Sequence, residues 1–157
     1  MNSGMDDLYR EVILDHHRSP RFREPLSHPD AEASGKNPSC GDEVSLQLAF
    51  AGERISAVSV LTEGCAIATA SGSILAELLT GRTLVEAGRL AEAFRMTMHD
   101  EDADLPDDLD PGDLEVLTGV RKFPVRVKCA LLPWITMLEA VTARREGRPV
   151  GEATTEV

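Results

Sequence analysis

Residues 43–79 read EVSLQLAFAGERISAVSVLTEGCAIATASGSILAELL, and this stretch decides the fold. Up to Phe50, apolar and polar side chains alternate, which is the period-two pattern of a half-buried β-strand. A glycine-containing turn at 51–53 and a second apolar run at 55–62 predict that the chain turns back and pairs antiparallel with the first strand. The centre of the fold is therefore predicted to be a β-meander.

The pattern becomes helical after Cys65. The residues from Ala66 onward combine small and aliphatic side chains, so a helix here can approach the sheet closely. Gly81 is placed to end this helix as a C-cap. Thr83 and Glu86 have the spacing of a capping box, which predicts that a second helix begins directly afterwards.

The elements on either side are predicted from weaker signals. An amphipathic first helix should stop before Pro20, because the residue before a proline avoids helical geometry. The segment 20–37 is rich in Pro, Ser and charge, so it is predicted to be mostly irregular, with a short strand before Gly35. A long helix is predicted for 125–145, and Pro133 must either lie in its first turn or kink it.

The chain has 157 residues, which is long enough to bury one core and short for two. The predicted fold class is α+β, with a small three-stranded antiparallel sheet covered by helices and a long C-terminal helix. We expect a single domain over 1–157, in which residues 147–157 form a loose tail.

The charge balance excludes two classes of partner. The sequence carries 27 acidic and 16 basic side chains, a net charge of −11, and such a field repels nucleic-acid phosphates and anionic lipid headgroups. No apolar run approaches the roughly 20 residues of a membrane span. We therefore expect neither nucleic acid nor membrane partners. The N-terminal residues lack the basic and apolar regions of a secretion signal, so the predicted location is the cytoplasm.

Two further groups of polar residues are predicted to be solvated surface. The segment 100–113 is strongly acidic, and repulsion between its carboxylates favours an extended loop over a cation site. The four histidines stand alone in the sequence and are predicted to be ordinary surface residues: His16, His17, His28 and His99.

Three cysteines, Cys40, Cys65 and Cys129, lie at predicted junctions between elements. Their odd number and wide scatter argue against a disulfide framework, so they are expected to remain thiols. Their spacing matches no local zinc-finger pattern and is equally compatible with small buried core residues. Glycine, proline and polar neighbours favour shaped loops, in which exposed N–H groups can stabilise a thiolate.

Asp42 is the natural fourth member of a metal site. It follows Cys40 by two residues, and Gly41 between them lets the loop fold back. Three thiolates and one carboxylate form a tetrahedral set that zinc accepts. An aspartate beside a turn also commonly accepts backbone hydrogen bonds, so both roles stay open at this point.

Three motifs carry a family resemblance: Asn37-Pro-Ser-Cys-Gly-Asp, Glu63-Gly-Cys-Ala-Ile-Ala-Thr-Ala-Ser and Arg126-Val-Lys-Cys-Ala-Leu-Leu. Together they resemble the IscU/NifU-N-like iron–sulfur cluster assembly superfamily, and specifically its SufU branch of zinc-dependent sulfurtransferases. The resemblance implies a SufE/IscU-like fold and a Zn²⁺ site. The implied metal ligands are Cys40, Asp42, Cys65 and Cys129.

The SufU resemblance also implies the partners and the reaction. A pyridoxal-phosphate-dependent cysteine desulfurase (SufS-like) would hold a persulfide, and this protein would accept the outer sulfur and pass it to downstream iron–sulfur scaffold proteins. We predict Cys40 as the catalytic acceptor, because its loop should move more easily than two positions at helix starts. The hypothesis is that a histidine of the desulfurase displaces Cys40 from zinc. Arg126 is a supporting catalytic candidate that could stabilise a persulfide anion.

Two other functions use the same residues. The first is a non-enzymatic scaffold that binds a transient [2Fe–2S] cluster on these ligands; IscU-type scaffolds usually carry a histidine where this chain has Lys128, which counts against it. The chaperone-binding segment of that branch is also altered, since this chain reads Lys-Phe-Pro-Val-Arg over 122–126. The second alternative is a purely structural zinc module, in which loss of one ligand would unfold the domain.

Overall fold

The structure of the chain is a computed structural model that describes residues 3–155, with side chains described from residue 10 onward. Its regular elements, in chain order, are α1 (Ser3–Arg18), β1 (Ala31–Asn37), β2 (Asp42–Ala51), β3 (Arg54–Glu63), α2 (Ala66–Leu79), α3 (Leu84–His99), α4 (Asp113–Leu117), α5 (Pro124–Arg145) and β4 (Gly151–Thr154). Short 3₁₀ turns at 107–109 and 118–122 flank α4. The predicted α+β class is confirmed.

The predicted meander is present. β2 and β3 pair antiparallel, with Val44 opposite Thr62 and Leu48 opposite Val58. The first helix ends before Pro20, as predicted, although the side chains of residues 3–9 in this helix lie outside the described ones.

The sheet has four strands rather than the predicted three, in the order β3-β2-β1-β4. The fourth strand comes from the segment predicted to be a loose tail. Residues 151–154 pair parallel with β1, and Gly151 lies opposite Ala33. The prediction for 147–157 is therefore wrong over β4. A four-residue polar strand has too few positions to show alternation, and its stability comes from the open edge of β1.

The strand predicted before Gly35 is longer than expected and lies inside the sheet, between β2 and β4. Its inward residues include Ala31, Ala33 and Gly35, whose small size lets α5 pack against the strand. Because these residues contribute little hydrophobic contrast, the alternation is weak in the sequence. The irregular interpretation of 20–37 is thus correct only up to Asp30.

The core lies between the inner face of the sheet and helices α2 and α5. Leu46 and Leu48 of β2 are fully buried, and Trp134 of α5 packs on Phe94 of α3 with ring centroids 5.6 Å apart. The capping box predicted at the start of α3 is present, with reciprocal hydrogen bonds between Thr83 and its partner three residues on. This packing sets the distance between the sheet and the helices that carry cysteines.

Pro133 lies in the middle of α5 and not in its first turn. A proline has no N–H, so the carbonyl of Cys129, four residues earlier, lacks its usual helical donor. α5 is the longest helix of the described part of the chain, and within residues 3–155 no helix is both long and apolar enough to cross a membrane.

His16 is buried, which contradicts the prediction that it is a surface residue. Its Nδ1 lies 2.7 Å from Ser73 Oγ and its Nε2 lies 3.0 Å from Asp113 Oδ2. Ser73 also accepts the backbone N–H of Arg21 at 3.0 Å. The ring therefore joins α1 to α2 and α4, partners too distant in sequence to be recognised from it. The other three histidines are exposed as predicted: His17, His28 and His99.

The acidic segment is only partly solvated. Its carboxylates are mostly exposed, but Leu105 and Leu109 are buried, and the guanidinium of Arg82 donates to the backbone carbonyls of Leu109 and Asp110. Two apolar anchors and one arginine thus hold the segment against the domain. The prediction of an extended loop missed these anchors because the charges around them dominate the sequence pattern.

We expect His16→Ala to lower the free energy of unfolding by about 1–3 kcal/mol, because it leaves the buried Ser73 hydroxyl without one of its partners. His17→Ala is the matched control, since His17 is the exposed neighbour on the same helix, and it should change stability by less than about 0.5 kcal/mol. Urea unfolding at neutral pH measures both. Equal effects of the two variants would contradict the role assigned to His16.

Candidate metal centre

The inward-facing rows of β1 and β2 end in polar residues. Asn37 closes the β1 row and Asp42 opens the β2 row, and both side chains are buried, at 0% and 1% exposure. The two residues are directly paired across the hairpin. Since the same rows are otherwise apolar, these two polar groups mark one end of the core as a site.

The structure brings the four side chains predicted to bind metal to this end of the sheet. One ligand atom each from Cys40, Asp42 and Cys129 lies within 4.8 Å of the other two. Cys65 lies outside this group of three, but its Sγ is 3.9 Å from Asp42 Oδ2. Three elements that are far apart in sequence therefore converge on one point.

Cys40 lies at the tip of the hairpin between β1 and β2 and is exposed. The backbone carbonyl of Asn37 accepts the N–H groups of Cys40 at 3.2 Å and of Gly41 at 2.8 Å, which closes the turn. Gly41 has φ +74°, a left-handed conformation that favours glycine. The predicted folding back of this loop is confirmed.

Cys65 is the N-cap of α2 and is half-buried. Its Sγ accepts the backbone N–H of Ala68 at 3.4 Å, so the sulfur occupies the position of a capping oxygen. The hydroxyl of Thr69 donates to the Cys65 carbonyl at 3.0 Å. This cap fixes the position of the Cys65 sulfur at the start of α2.

Cys129 is fully buried in the second turn of α5. Burial raises the pKa of the Cys129 thiol well above its usual value, and hydrogen bonds with Asp42, Cys65 and Cys40 raise the pKa further. In the metal-free protein this sulfur therefore keeps its proton at neutral pH. A bound cation would have to displace that proton.

Asp42 holds the group together through its two oxygens. Oδ1 accepts the backbone N–H of Cys65 at 2.8 Å, and Oδ2 accepts Nδ2 of Asn37 at 3.0 Å. The backbone-bonding role left open by the sequence is therefore real, and it belongs to Oδ1. Oδ2 is the oxygen next to the sulfurs, so hydrogen bonding and metal ligation are compatible in this side chain.

The close approach of Cys65 to Asp42 depends on Gly64. A Cβ placed on Gly64 would lie 2.2 Å from Asp42 Oδ1 and 2.9 Å from its Cα. Any side chain at this position would therefore push the β3–α2 junction away from β2. The Glu-Gly-Cys motif has a glycine at this position because Asp42 leaves no room for a Cβ.

The donor set fits zinc. Three sulfurs and one carboxylate oxygen suit a borderline-soft divalent ion, and the described hydrogen-bond donors to the buried carboxylate, which are two N–H groups and the Cys65 thiol, include no cationic side chain. That these four side chains bind zinc stays a prediction.

No described hydrogen bond joins Arg126 to the three cysteines, so its supporting catalytic role stays a prediction. Its side chain is exposed, and it lines a groove of about 670 Å³ together with Ile67, Phe123 and Val125. Phe123 and Val125 are 54% and 65% exposed, so this side of the site is an apolar surface with a basic edge. The groove is therefore the described environment of the Arg126 guanidinium.

Asn37 is the site residue that sequence reasoning missed. The asparagine opens the first quoted motif, but a polar residue before Pro38 is ordinarily a turn residue, and its burial could not be read locally. The pairing of β1 with β2 is what turns its side chain into the core.

Comparison with known proteins decides the family. The family model of the NifU-like N-terminal domain matches residues 8–130, which is most of the chain. The chain belongs to the NifU-like N-terminal domain family. Within it the chain is of SufU type: it is 36% identical to the zinc-dependent sulfurtransferase SufU of Bacillus subtilis, over 93% of this chain and 97% of that protein.

Other members of the family carry a different name. The chain is 34% identical to the iron–sulfur cluster assembly scaffold protein IscU of Streptococcus pyogenes, over 88% of this chain and 86% of that protein. Among solved structures, a candidate iron–sulfur cluster assembly scaffold protein for the SUF system from Fervidobacterium islandicum superposes with a TM-score of 0.77 at 33% identity. That match covers 83% of this chain and 94% of the other. The SufU/IscU-like fold is therefore confirmed.

Gly64→Ala should weaken the site selectively. The added methyl group collides with Asp42, and we expect a loss of about 1–3 kcal/mol in stability together with reduced zinc retention after gel filtration. Gly88→Ala is the matched control, because a Cβ on Gly88 meets nothing within 4 Å and the residue lies inside α3, where alanine should stabilise by about 0.5–1 kcal/mol. Full zinc retention by Gly64→Ala would contradict the packing argument.

Zinc binding should release protons and strengthen with rising pH. The raised pKa of Cys129 means that its thiol is protonated in the metal-free protein, and a ligating sulfur must be deprotonated. Apparent zinc affinity is therefore expected to increase between about pH 6 and pH 8. Calorimetry in two buffers with different ionisation enthalpies measures the protons released; a pH-independent affinity with no release would contradict this prediction.

Proposed function

We propose that this SufU-type protein is a zinc-dependent sulfur acceptor and carrier in the cytoplasm. It takes persulfide sulfur from a pyridoxal-phosphate-dependent cysteine desulfurase and passes it to downstream scaffold proteins for iron–sulfur cluster assembly. The observation that carries the proposal is that Cys40 and Cys129 cluster with one buried carboxylate, that Cys65 contacts the same carboxylate, and that of the three cysteines only Cys40 is exposed. The similarity to a protein named a zinc-dependent sulfurtransferase supports it.

The three sulfurs differ in how freely they can react. Cys129 is buried within α5, and Cys65 is tied to the first turn of α2 through the N–H of Ala68. Cys40 lies on a short hairpin loop that is held by backbone hydrogen bonds to Asn37 and opens to solvent. A partner protein can reach Cys40 without unfolding a helix, so Cys40 is the acceptor in this proposal.

The transfer is a thiol–disulfide type exchange. The Cys40 thiolate attacks the outer sulfur of the donor persulfide, and a new S–S bond forms on Cys40 as the S–S bond of the donor breaks. The electron pair of the broken bond leaves with the donor cysteine, which departs as a thiolate. No external oxidant or reductant is needed, because the transferred sulfur keeps its oxidation state.

Zinc would be held by Cys40, Asp42, Cys65 and Cys129, and when bound it keeps ligating thiols deprotonated at neutral pH. The residues of the chain supply the rest. Asp42 and the N–H group of Ala68 hold Cys65 in place, and burial within α5 restrains Cys129. The cluster thus keeps its geometry while the hairpin bearing Cys40 changes position.

The apolar groove next to the site offers a docking surface for the desulfurase. Phe123 and Val125 present exposed apolar side chains, and Arg126 lies at the same groove. In this proposal the guanidinium of Arg126 stabilises the incoming persulfide anion, which is the supporting role predicted from the sequence. Association through an exposed apolar patch with a charged edge is typical of protein interfaces.

The alternative function is a scaffold for a [2Fe–2S] cluster on the same ligands. The similarity to proteins named IscU favours it, and cysteine sulfurs are the usual ligands of such clusters. The two functions differ in what the protein acquires: a persulfide on one cysteine in the first, and iron with sulfide in the second. A structural zinc module would acquire neither.

The decisive experiment mixes the zinc-loaded protein with a matched cysteine desulfurase and free cysteine under anaerobic conditions. We expect stimulated desulfurase turnover and one added sulfur atom on Cys40, located by mass spectrometry. Cys40→Ser should abolish both effects while leaving the fold intact, because Cys40 is exposed.

Cys129→Ser is the comparison variant, and it should impair zinc retention and stability, since Cys129 is buried in the core. A persulfide on Cys40→Ser would refute the acceptor assignment. Recovery of bound iron and sulfide with no stimulation of the desulfurase would favour the scaffold, and unfolding on removal of zinc with no persulfide on any cysteine would favour the structural module.

A further inference from the structure

Asn37 contacts two of the predicted metal ligands at once. Its Nδ2 donates to Asp42 Oδ2 at 3.0 Å and to Cys129 Sγ at 3.5 Å, and the side chain is fully buried. These two ligands belong to β2 and α5, which are different layers of the fold. One planar amide therefore sets the position of a strand carboxylate relative to a helix sulfur.

The amide needs a third contact to keep this direction. Rotation about the last side-chain bond of asparagine is soft, and a half turn would exchange the N–H donors with the carbonyl acceptor. Oδ1 of Asn37 accepts the hydroxyl of Thr155 at 2.8 Å. With the carbonyl held there, both N–H groups face Asp42 and Cys129, and every polar group of the amide has a partner.

Thr155 is held in place by the fourth strand. Its backbone N–H donates to the carbonyl of Lys36 at 3.1 Å, which continues the pairing of Lys36 with Thr154 by one step. Since Asn37 directly follows Lys36, the strand delivers the Thr155 hydroxyl to the Asn37 amide. The residue that follows β4 thus contacts the buried amide beside the predicted ligands.

We propose that Asn37 is a positioning residue for the metal site and that Thr155 sets its orientation, so that the C-terminal strand controls how firmly the site retains its metal. The inference deepens the proposed function and rests on it, because it takes zinc to be held by the four side chains. Residues that orient metal ligands from outside the ligand set commonly change metal affinity about 10–100-fold when they are removed.

The physical reason is electrostatic. Without the Thr155 hydroxyl, the Asn37 amide can turn its carbonyl toward the Asp42 carboxylate, and two acceptors then face each other in a buried space. Asp42 and Cys129 would each lose an N–H donor and gain freedom of movement. A more mobile ligand leaves the metal more often, so zinc release should accelerate.

The experiment tests the hydrogen bond from Thr155 to Asn37 separately from the side-chain volume and backbone pairing at these positions. Thr155→Val removes only the hydroxyl and keeps the side-chain volume and the backbone N–H, Thr155→Ser keeps the hydroxyl, and Asn37→Ala removes the amide. The full-length, zinc-loaded proteins are mixed with an excess of chromophoric chelator, and the rate of zinc release is followed by absorbance. Urea unfolding of the metal-free proteins gives an independent measure of stability.

Thr155→Val should release zinc about tenfold faster than wild type, and Asn37→Ala about 10–100-fold faster. Thr155→Ser should match wild type in both measurements, and Thr155→Val should also lower the urea midpoint, because the buried carbonyl of Asn37 loses its donor. Since Thr155 acts through Asn37, adding Thr155→Val to Asn37→Ala should produce no further acceleration. Wild-type release by Thr155→Val, equal acceleration by the Val and Ser variants, or additive effects in the double variant would each overturn the inference.

Failure of the proposed function gives different results. Wild-type protein that retains zinc and acquires no persulfide would refute the sulfur-acceptor function and leave the zinc-release comparison valid. Wild-type protein that retains no zinc would also refute the proposed function. Metal retention would then fail with it, and the orientation of Asn37 by Thr155 would be decided separately by hydrogen exchange at the Asn37 side-chain amide, which Thr155→Val must accelerate and Thr155→Ser must not.

Discussion

The burial of the Asp42 carboxylate is the constraint on which the site depends. A charged group at the end of an inward-facing row of a β-sheet is costly unless donors surround it. Here the backbone N–H of Cys65 and the amide of Asn37 supply those donors, each within 3.0 Å. To bring the Cys65 N–H so close, the residue before it must lack a side chain, and Gly64 satisfies this requirement.

The three cysteine sulfurs around this carboxylate differ in how firmly they are held. Two of the sulfurs lie on helices, where backbone hydrogen bonding and packing restrain them, and the third lies on a four-residue hairpin loop that the solvent reaches. A site with two restrained sulfurs and one accessible sulfur can keep its shape while one group reacts. A purely structural zinc site has no need for an exposed ligand on a short loop, which is why the geometry favours the carrier function over the structural module.

The periphery of the fold contributes more to the site than its sequence suggests. β4 closes the open edge of β1 and carries Thr155 to the Asn37 amide, so a segment with no recognisable pattern becomes part of the environment of the predicted metal ligands. Elsewhere in the domain, His16 ties α1 to α2, the helix that Cys65 caps. Both features are long-range polar contacts that the local sequence pattern does not predict.

The sequence by itself determined the meander, the helices that follow it and the three motifs that carry the cysteines, because these depend on alternation, capping and loop composition within a few residues. It also determined the family, since three ordered motifs are far more specific than one. Tertiary structure alone decided that Asn37 and His16 are buried, that Arg126 lines the exposed groove and that residues 151–154 form a strand. Each of these depends on which distant segment packs against the residue, and a buried hydrogen bond between partners more than fifty positions apart leaves no periodic trace in the chain.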